Sequence, residues 1–407
     1  MKAIITPSIL AGNVDIPASK SLLHRAIIAS CLAKGTSNIF NVTYSEDINA
    51  TIEAMQKLGA TIIKNKDNSL TITGNKIIRK DNYINANESG STLRFIIPIA
   101  ILDDKPICFD GNNNLKKRPL DEYINIFKKQ NIEYHKGIDY LPLKVNGKLK
   151  SDTFKIKGNI SSQYITGLLF ALPLLDKNSK IIIEGELESK SYVDLTLEIL
   201  KLAKIKVDNK NYQEFIIYGN QSYKPFNYVV ESDYSQAAFY LVANAIGAKI
   251  TINNLKIDSL QGDKKIVQDI EKICHGNAIL SFKQTPDLFP IEIVLATFIK
   301  TKTTFIDLER LKIKESNRIE AMVNNLKELK ANISYENNIV TIEGKEWLTG
   351  KEVKSYNDHR IVMALAIASI KMQGKLIINN AECVKKSYPN FFEDFIKLGG
   401  KVELKYE

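Results

Sequence analysis

The stretch SSQYITGLLFALPLLDKNSKIIIEG, residues 161–185, decides the architecture. From Tyr164 to Leu175 its apolar residues surround a helix on every side rather than marking one stripe. A helix of that kind must be buried. It is followed, after a short polar break, by the β-rich segment SKIIIEG, so the stretch reads as one helix and one strand packed in a core. The same plan recurs in KSLLHRAIIASCLAKGTSNIFNV (20–42), STLRFIIPIAILDDKPICF (91–109), DYSQAAFYLVANAIGAKITI (233–252), DLFPIEIVLATFIKTKTTFIDL (287–308) and DHRIVMALAIASIKMQGKLII (358–378). Alternating with these are six stretches of a second kind, each an amphipathic helix that often ends near a small residue and then an alternating strand: 46–64, 120–134, 192–207, 263–274, 316–335 and 390–405. The pattern predicts six α/β repeats, three per domain, with the apolar helices inside and the amphipathic ones outside.

Length and composition agree. A chain of 407 residues divides most simply into two domains of roughly 200 residues each. Hydrophobic residues make up 44%, enough for packed cores, and no apolar run approaches the ~20 residues a membrane helix needs. The start, MKAIITPSIL, has a short apolar run broken by Pro7 and no small-residue cleavage site, so no secretory signal is read. Cys31, Cys108, Cys274 and Cys383 lie far apart with no CxxC spacing, which argues against a zinc site and a disulfide framework and fits a reducing cytoplasm. The net charge of +10 comes from dispersed lysines and arginines rather than clusters interleaved with aromatics. Small anionic substrates are as good a use of that excess as nucleic acid.

The first turns of the apolar helices carry the polar chemistry. They hold Lys20, Ser21 and Arg25; Ser91, Thr92 and Arg94; Ser161, Ser162 and Gln163; Asp233 and Ser235; Asp287; and Asp358 and Arg360. Taken singly, each Ser or Asp is an ordinary helix cap. A helix N-terminus also presents free N–H groups and a positive dipole end, and cations placed there are awkward unless an anion binds. A further charged run, LKIKESNRIEAM at 311–322, precedes an amphipathic helix. On a helix, Lys314 and Arg318 would be like charges four residues apart, tolerable with an anion between them, while Glu315 and Arg318 would pair at i,i+3.

The segments PASKSLLHRA, ESGSTLRF (88–95), KKRP (116–119), GNISSQYITGLL (158–169), SKSYVDLTL (189–197), ESDYSQAAF (231–239), TPDLFP (285–290), IKESNR (313–318), NDHR (357–360) and CVKKSYPNFF (383–392) resemble, in order, the motifs of the enolpyruvyl transferases, in particular the branch that acts on shikimate 3-phosphate. The resemblance covers essentially the whole chain. It departs at Ala18, where many members have Gly; at Glu88 and Ser91, where Asn and Thr are usual; and at Asn317, where Asp is usual. It implies a two-domain, inside-out, barrel-like α/β fold of three repeats per domain, with the N-termini of the buried helices facing the inter-domain cleft. The expected domains are 12–229, and 1–11 joined with 230–407.

The resemblance also implies a reaction, in which the enolpyruvyl group of phosphoenolpyruvate passes to the 5-hydroxyl of shikimate 3-phosphate and phosphate leaves, with no metal or other cofactor. The protein is then a cytoplasmic monomer of aromatic amino-acid biosynthesis, with no nucleic-acid or membrane partner. Each substrate carries a phosphate and a carboxylate, roughly −2.5 to −3 of charge. By position, Lys20, Ser21, Arg25, Ser161, Ser162, Gln163, Ser189, Tyr192, Asp287 and Lys314 are expected to hold shikimate 3-phosphate. Lys20, Gly90, Arg94, Arg118, Gln163, Arg318, Arg360 and Lys386 are expected to hold phosphoenolpyruvate, and the family's inhibitor glyphosate with it, beside Gly90. Glu315 is the expected acid for the methylene carbon, Asp287 the base for the hydroxyl, and Lys20 both clamp and proton donor to the departing phosphate. Two alternatives share related folds. A transferase acting on UDP-N-acetylglucosamine needs a reactive cysteine in the loop at 110–119, and DGNNNLKKRP has none; an RNA 3'-phosphate cyclase needs a nucleophilic histidine, for which His359 is the candidate.

Overall fold

A computed structural model describes residues 1–75 and 77–406. Lys76, inside the first expected domain, and Glu407, the last residue of the second, lie outside the described residues. The helices, in chain order, are α1 (Lys20–Leu32), α2 (Glu46–Lys57), α3 (Gly90–Ala100), α4 (Asp121–Gln130), α5 (Ser162–Ala171), α6 (Lys190–Leu202), α7 (Tyr234–Ala245), α8 (Ile266–His275), α9 (Phe289–Phe298), α10 (Arg318–Glu328), α11 (His359–Ala368) and α12 (Phe391–Lys397). Odd-numbered helices are the apolar ones, and they are buried almost throughout: α9 and α11 expose no face at all. Even-numbered helices bury one side.

The chain divides into a C-terminal unit, Met1–Pro17 with Ser232–Glu407, and an N-terminal unit, Ala18–Glu231. These limits fall a few residues from 11/12 and 229/230; the first lies later because strand Ala11–Val14 pairs in parallel with Lys249–Ile252 of the C-terminal unit. Each unit has its own hydrophobic core. Among the described residues, no helix is long and apolar enough to cross a membrane.

Each full repeat is a strand, a buried helix, a parallel strand, an amphipathic helix and a hairpin. The α3 repeat shows the plan, with sheet order Tyr83–Asn85, Ile107–Asp110, Leu143–Asn146, Glu133–Lys136. The first two strands are parallel and the others antiparallel. Three repeats take a strand from far along the chain, the α7 sheet being Lys249–Ile252 with Ala11–Val14. Asn227–Val229 completes the α1 sheet, and Lys2–Thr6 completes the α11 sheet. The α7 repeat is shorter: after α8 the strand Ile279–Ser281 pairs with Lys302–Ile306 of the α9 repeat, which leaves a two-stranded α7 sheet. The turn after every amphipathic helix passes through positive φ, at Gly59, Asn131, Lys204, Gly276, Lys330 and Gly399. That is the usual left-handed exit from a helix, and two lysines adopt it despite their steric cost.

Local packing fixes Arg94. Pro98, inside α3, has no N–H to give the Arg94 carbonyl four residues back. The Tyr123 hydroxyl of α4 donates to that carbonyl instead. Gly167 of α5 lets the two helices close, since a Cβ there would lie 2.4 Å from the same oxygen.

Candidate active site

In the N-terminal unit the expected binding residues gather at the starts of α1, α3, α5 and α6, and their partners are mostly neutral. Arg25, 2% exposed, donates to Thr196 Oγ1 at 2.8 Å, the Ser21 carbonyl at 2.7 Å and the Tyr192 carbonyl at 2.8 Å. Burial draws its pKa down to about 9, with Tyr192 opposing, so it stays cationic at neutral pH. Arg94 Nη1 donates to Gln163 Oε1 at 2.7 Å, and Gln163 Nε2 donates to Ser91 Oγ at 2.9 Å. Ser161 caps α5 by accepting from the Gln163 N–H, which anchors the backbone of that glutamine, and Ser162 is buried beside it. Ser189 precedes α6 with φ 57° and is buried. The Arg118 guanidinium lies over Gly90, where an added Cβ would come within 2.5 Å of Nη1. Lys20 has an acid partner: its Nζ is 2.7 Å from Asp47 Oδ2, in the first turn of α2.

In the C-terminal unit the cations meet carboxylates directly. Arg318, the first residue of α10 and 1% exposed, donates through Nη1 to Asp287 Oδ1 (2.7 Å), through Nη2 to Glu315 Oε2 (2.8 Å) and through Nε to Asp358 Oδ2 (2.9 Å). Lys314 Nζ reaches the same Asp287 oxygen at 3.2 Å, and Arg360 Nη2 reaches the other at 3.2 Å. Lys314 and Arg318 do not share a helix, because α10 begins at Arg318 and Lys314 ends the short turn Glu309–Ile313. The anion between them is Asp287, and the i,i+3 pairing of Glu315 with Arg318 forms as well. Burial raises the Asp287 carboxyl, but Arg360, Lys314 and Arg318 outweigh it and hold it well below the usual carboxylate range. Burial lowers Lys314 to about 8, with Asp287 opposing. For Arg318, burial lowers the pKa and Asp358, Glu315 and Asp287 overcome it, for a net rise. Asp358 also caps α11 by accepting from the Arg360 N–H at 3.0 Å, and Ser316 Oγ donates to its Oδ2 at 3.1 Å. Lys386 is buried in the turn Ala381–Lys386, which packs on α11.

The departures fit locally. Asn317 caps α10, a task at which Asn equals Asp. Ser91 keeps a hydroxyl for Gln163, Glu88 accepts from the Asn113 amide, and the Ala18 N–H donates to Thr43 Oγ1 at 3.0 Å. Sequence reasoning missed Asp47 as partner of Lys20, Asp358 as partner of Arg318, and Thr196 beneath Arg25. In sequence Asp358 suits a helix cap, and Asp47 and Thr196 carry no local mark beyond lying in the amphipathic stretches 46–64 and 192–207. Among the described residues no group of three or more His, Cys, Asp or Glu side chains is placed to hold a metal ion.

Repeats of this kind, with charged and hydroxyl side chains at the buried helix starts, define a two-unit α/β protein built to handle small anions. A solved EPSP synthase from Acinetobacter baumannii has the same fold, with a TM-score of 0.81 at 21% identity over 99% of this chain and 100% of that one. A 3-phosphoshikimate 1-carboxyvinyltransferase of Clostridium perfringens is 49% identical over 98% of both chains, and one of Clostridioides difficile is 48% identical over 98% of both. The chain belongs to the EPSP synthase (3-phosphoshikimate 1-carboxyvinyltransferase) family, which it matches over residues 4–395.

Proposed function

We propose that this chain transfers the enolpyruvyl group of phosphoenolpyruvate to the 5-hydroxyl of shikimate 3-phosphate and releases inorganic phosphate. Family membership supports the reaction. The observation that carries the chemistry is the Asp287 carboxylate, gripped by Lys314, Arg318 and Arg360, with Glu315 on the far side of Arg318.

The roles follow from the groups. In the N-terminal unit Lys20, Ser21, Arg25, Ser161, Ser162, Gln163, Ser189 and Tyr192 serve shikimate 3-phosphate, and Lys20, Gly90, Arg94, Arg118 and Gln163 serve phosphoenolpyruvate. In the C-terminal unit Asp287 and Lys314 serve the hydroxyls of the first, and Arg318, Arg360 and Lys386 the anionic groups of the second. Arginine suits that task because its planar fork grips carboxylate or phosphate with paired bonds. Glu315 delivers a proton to the methylene carbon, the 5-oxygen bonds to the adjacent carbon, and Asp287 takes the hydroxyl proton. The tetrahedral intermediate then gives a methyl proton back to the Glu315 carboxylate and breaks its carbon–oxygen bond to phosphate, restoring the double bond, with Lys20 protonating the leaving group. An anionic substrate that draws Arg318 and Arg360 away from Asp287 frees that carboxylate to act as base.

The alternatives gain nothing from the structure. Burial, and then Asp110, push the Cys108 thiol up, away from the reactive thiolate. His359 is 1% exposed, with Nδ1 3.7 Å from Asp358 Oδ1, a place for orienting neighbours rather than attacking a phosphate. The reading keeps the expectation of a cytoplasmic monomer, which size-exclusion chromatography and cell fractionation test. A coupled phosphate-release assay decides the reaction. Turnover with phosphoenolpyruvate plus shikimate 3-phosphate, and none with UDP-N-acetylglucosamine, is expected; the reverse overturns the reading.

A further inference from the structure

Tyr164 follows Gln163 in the first turn of α5 and is fully buried, so it meets no substrate itself. No role above uses it. Its hydroxyl donates to the Pro119 carbonyl, and Arg94 Nη2 donates to the same oxygen at 3.0 Å. A carbonyl has two lone pairs, so these two donors satisfy it. The Arg94 guanidinium lies over the Tyr164 ring, 5.2 Å from its centroid. The Tyr123 ring packs edge-on against the same ring, with centroids 4.9 Å apart. Burial pushes the Tyr164 phenol above its ordinary value, so the hydroxyl keeps its proton at neutral pH.

Pro119 comes directly after Arg118, whose guanidinium lies over Gly90. A proline ring fixes its own φ and biases the residue before it toward extended backbone. Arg118 is extended, at φ −71° and ψ 130°, and its N–H donates to the Leu115 carbonyl at 3.1 Å. The freedom left to such a pair is chiefly rotation of the proline carbonyl, and that carbonyl is the atom Tyr164 and Arg94 hold.

We propose that Tyr164 is a positioning residue for phosphoenolpyruvate: its hydroxyl pins the Pro119 carbonyl and its ring carries the Arg94 guanidinium, which together set Arg94 and Arg118 relative to one another. The proposal rests on reading those two arginines as phosphoenolpyruvate ligands. An anion that draws Arg94 toward itself takes a donor from Pro119. With Tyr164 in place the carbonyl stays bonded, and Arg118 keeps its backbone while Arg94 turns. Without the hydroxyl, Arg94 is divided between holding the loop and holding the substrate. Order lost in this way weakens ground-state and transition-state binding alike, so it appears in KM rather than kcat.

The test is steady-state phosphate release, each substrate varied against a saturating level of the other. Tyr164→Phe keeps the ring under Arg94 and removes only the hydroxyl. It is expected to raise the KM for phosphoenolpyruvate roughly 5- to 10-fold, the scale of a buried acceptor losing a donor. The kcat and the KM for shikimate 3-phosphate should stay within about 2-fold of wild type. Arg118→Met raises the same KM by itself, and in that background Tyr164→Phe is expected to multiply it by less, because one residue it positions is gone. An unchanged KM for phosphoenolpyruvate in Tyr164→Phe, an equal loss for both substrates, or an undiminished factor in the double variant overturns the proposal. Should Tyr164→Phe fail to fold by circular dichroism, Tyr164→Met, with neither ring nor hydroxyl, takes its place under the same criteria. A wild type that releases no phosphate refutes the transferase reading, and a wild-type KM in Arg118→Met refutes the placing of that arginine; either takes this inference with it. An active wild type with a raised KM in Arg118→Met and none in Tyr164→Phe refutes this inference only.

Discussion

Arg25 and Arg318 are both buried arginines in the first turns of helices, and their surroundings are opposite. Arg25 is met by two threonine hydroxyls and two backbone carbonyls, and Arg318 by three carboxylates. The contrast extends to their units. Arg94 leans on the Gln163 amide, whereas Lys314 and Arg360 both lean on Asp287. Neutral partners leave a cation's charge uncancelled and ready for an incoming anion. Carboxylate partners cancel the charge at rest and add groups able to move protons. On the roles proposed above, the N-terminal unit serves chiefly to bind, and the C-terminal unit to bind and react.

The strongest test of that contrast is truncation of the two arginines. Arg318→Met leaves Asp287, Glu315 and Asp358 without their common cation, and is expected to cost about 3–5 kcal/mol of stability, the scale of breaking a buried ion pair. Arg25→Met leaves only neutral acceptors unpaired, at about 1–3 kcal/mol. Urea unfolding followed by circular dichroism measures both. Trp347, the single tryptophan, lies in the C-terminal unit and reports on it by fluorescence. Equal losses in the two variants would erase the distinction.

Next come the reacting groups. Asp287→Asn and Glu315→Gln are each expected to lower kcat by roughly 10²-fold or more, the scale of one general acid or base. Gln163→Ala, which unseats Arg94 in the neutral network, is expected to act mainly through the KM for phosphoenolpyruvate, as lost ground-state binding does. Steady-state kinetics separates the two. A collapse of kcat in Gln163→Ala, or wild-type kcat in either carboxylate variant, would contradict the division of labour.

The same contrast explains what could be read from the chain alone. All six buried helices were legible because a helix apolar on every side has no other place to be, and α5 spans Ser162–Ala171 within the stretch that carried the reading. Sheet closure was not legible. That Lys2–Thr6 lies between Leu376–Asn379 and Lys401–Lys405 depends on tertiary pairing across most of the chain, and the two-stranded α7 sheet breaks a repeat that the periodicity presents as regular. The N-terminal network was legible as residues lying in recognisable helix starts. The C-terminal network was legible as charges but not as pairs, since Arg318 meets Asp287 and Asp358 across 31 and 40 residues of chain. No local pattern encodes such a contact. Asp358 illustrates the loss: its one local role, capping α11, hides its ion pair with Arg318.

A gentler probe uses the pH dependence of stability that one buried acid of the C-terminal unit confers. Glu292 is fully buried in α9, and burial first, then Asp269, raise its carboxyl well above the ordinary value. Below the ordinary glutamate range the folded and unfolded chains both hold this proton. As pH rises the unfolded chain releases it first, so stability falls until the folded carboxyl also ionises. Glu292→Gln removes that dependence and is expected to stabilise the protein by about 1 kcal/mol at mildly alkaline pH. It should give no gain below the ordinary glutamate range. Melting curves at the two pH extremes, read by Trp347 fluorescence, would show whether the gain is confined to the alkaline side; a gain at both ends would assign it to packing instead.

The smallest expected effect on stability lies in the N-terminal unit, at Gly90. An added Cβ would sit 2.5 Å from Arg118 Nη1 and 2.9 Å from Cζ, too close to remain, but what it strikes is the far end of a flexible side chain. The fold can therefore absorb Gly90→Ala by moving the guanidinium, and the stability change should stay within about 1 kcal/mol. The binding change should be larger than the stability change, because Arg118 keeps its anion-gripping geometry only while Gly90 leaves room for it. A rise of roughly 10-fold in the KM for phosphoenolpyruvate, with kcat reduced less, is the expected pattern for a displaced binding arginine. Glyphosate, longer than phosphoenolpyruvate and placed beside the same glycine by the family resemblance, should lose more affinity than the substrate does. Competition kinetics on wild type and Gly90→Ala measures both quantities. Unchanged constants for both ligands would place Arg118 outside the phosphoenolpyruvate site and leave Gly90 as a packing residue, and a matching fall in kcat would show that the N-terminal unit takes part in the chemistry as well as in binding.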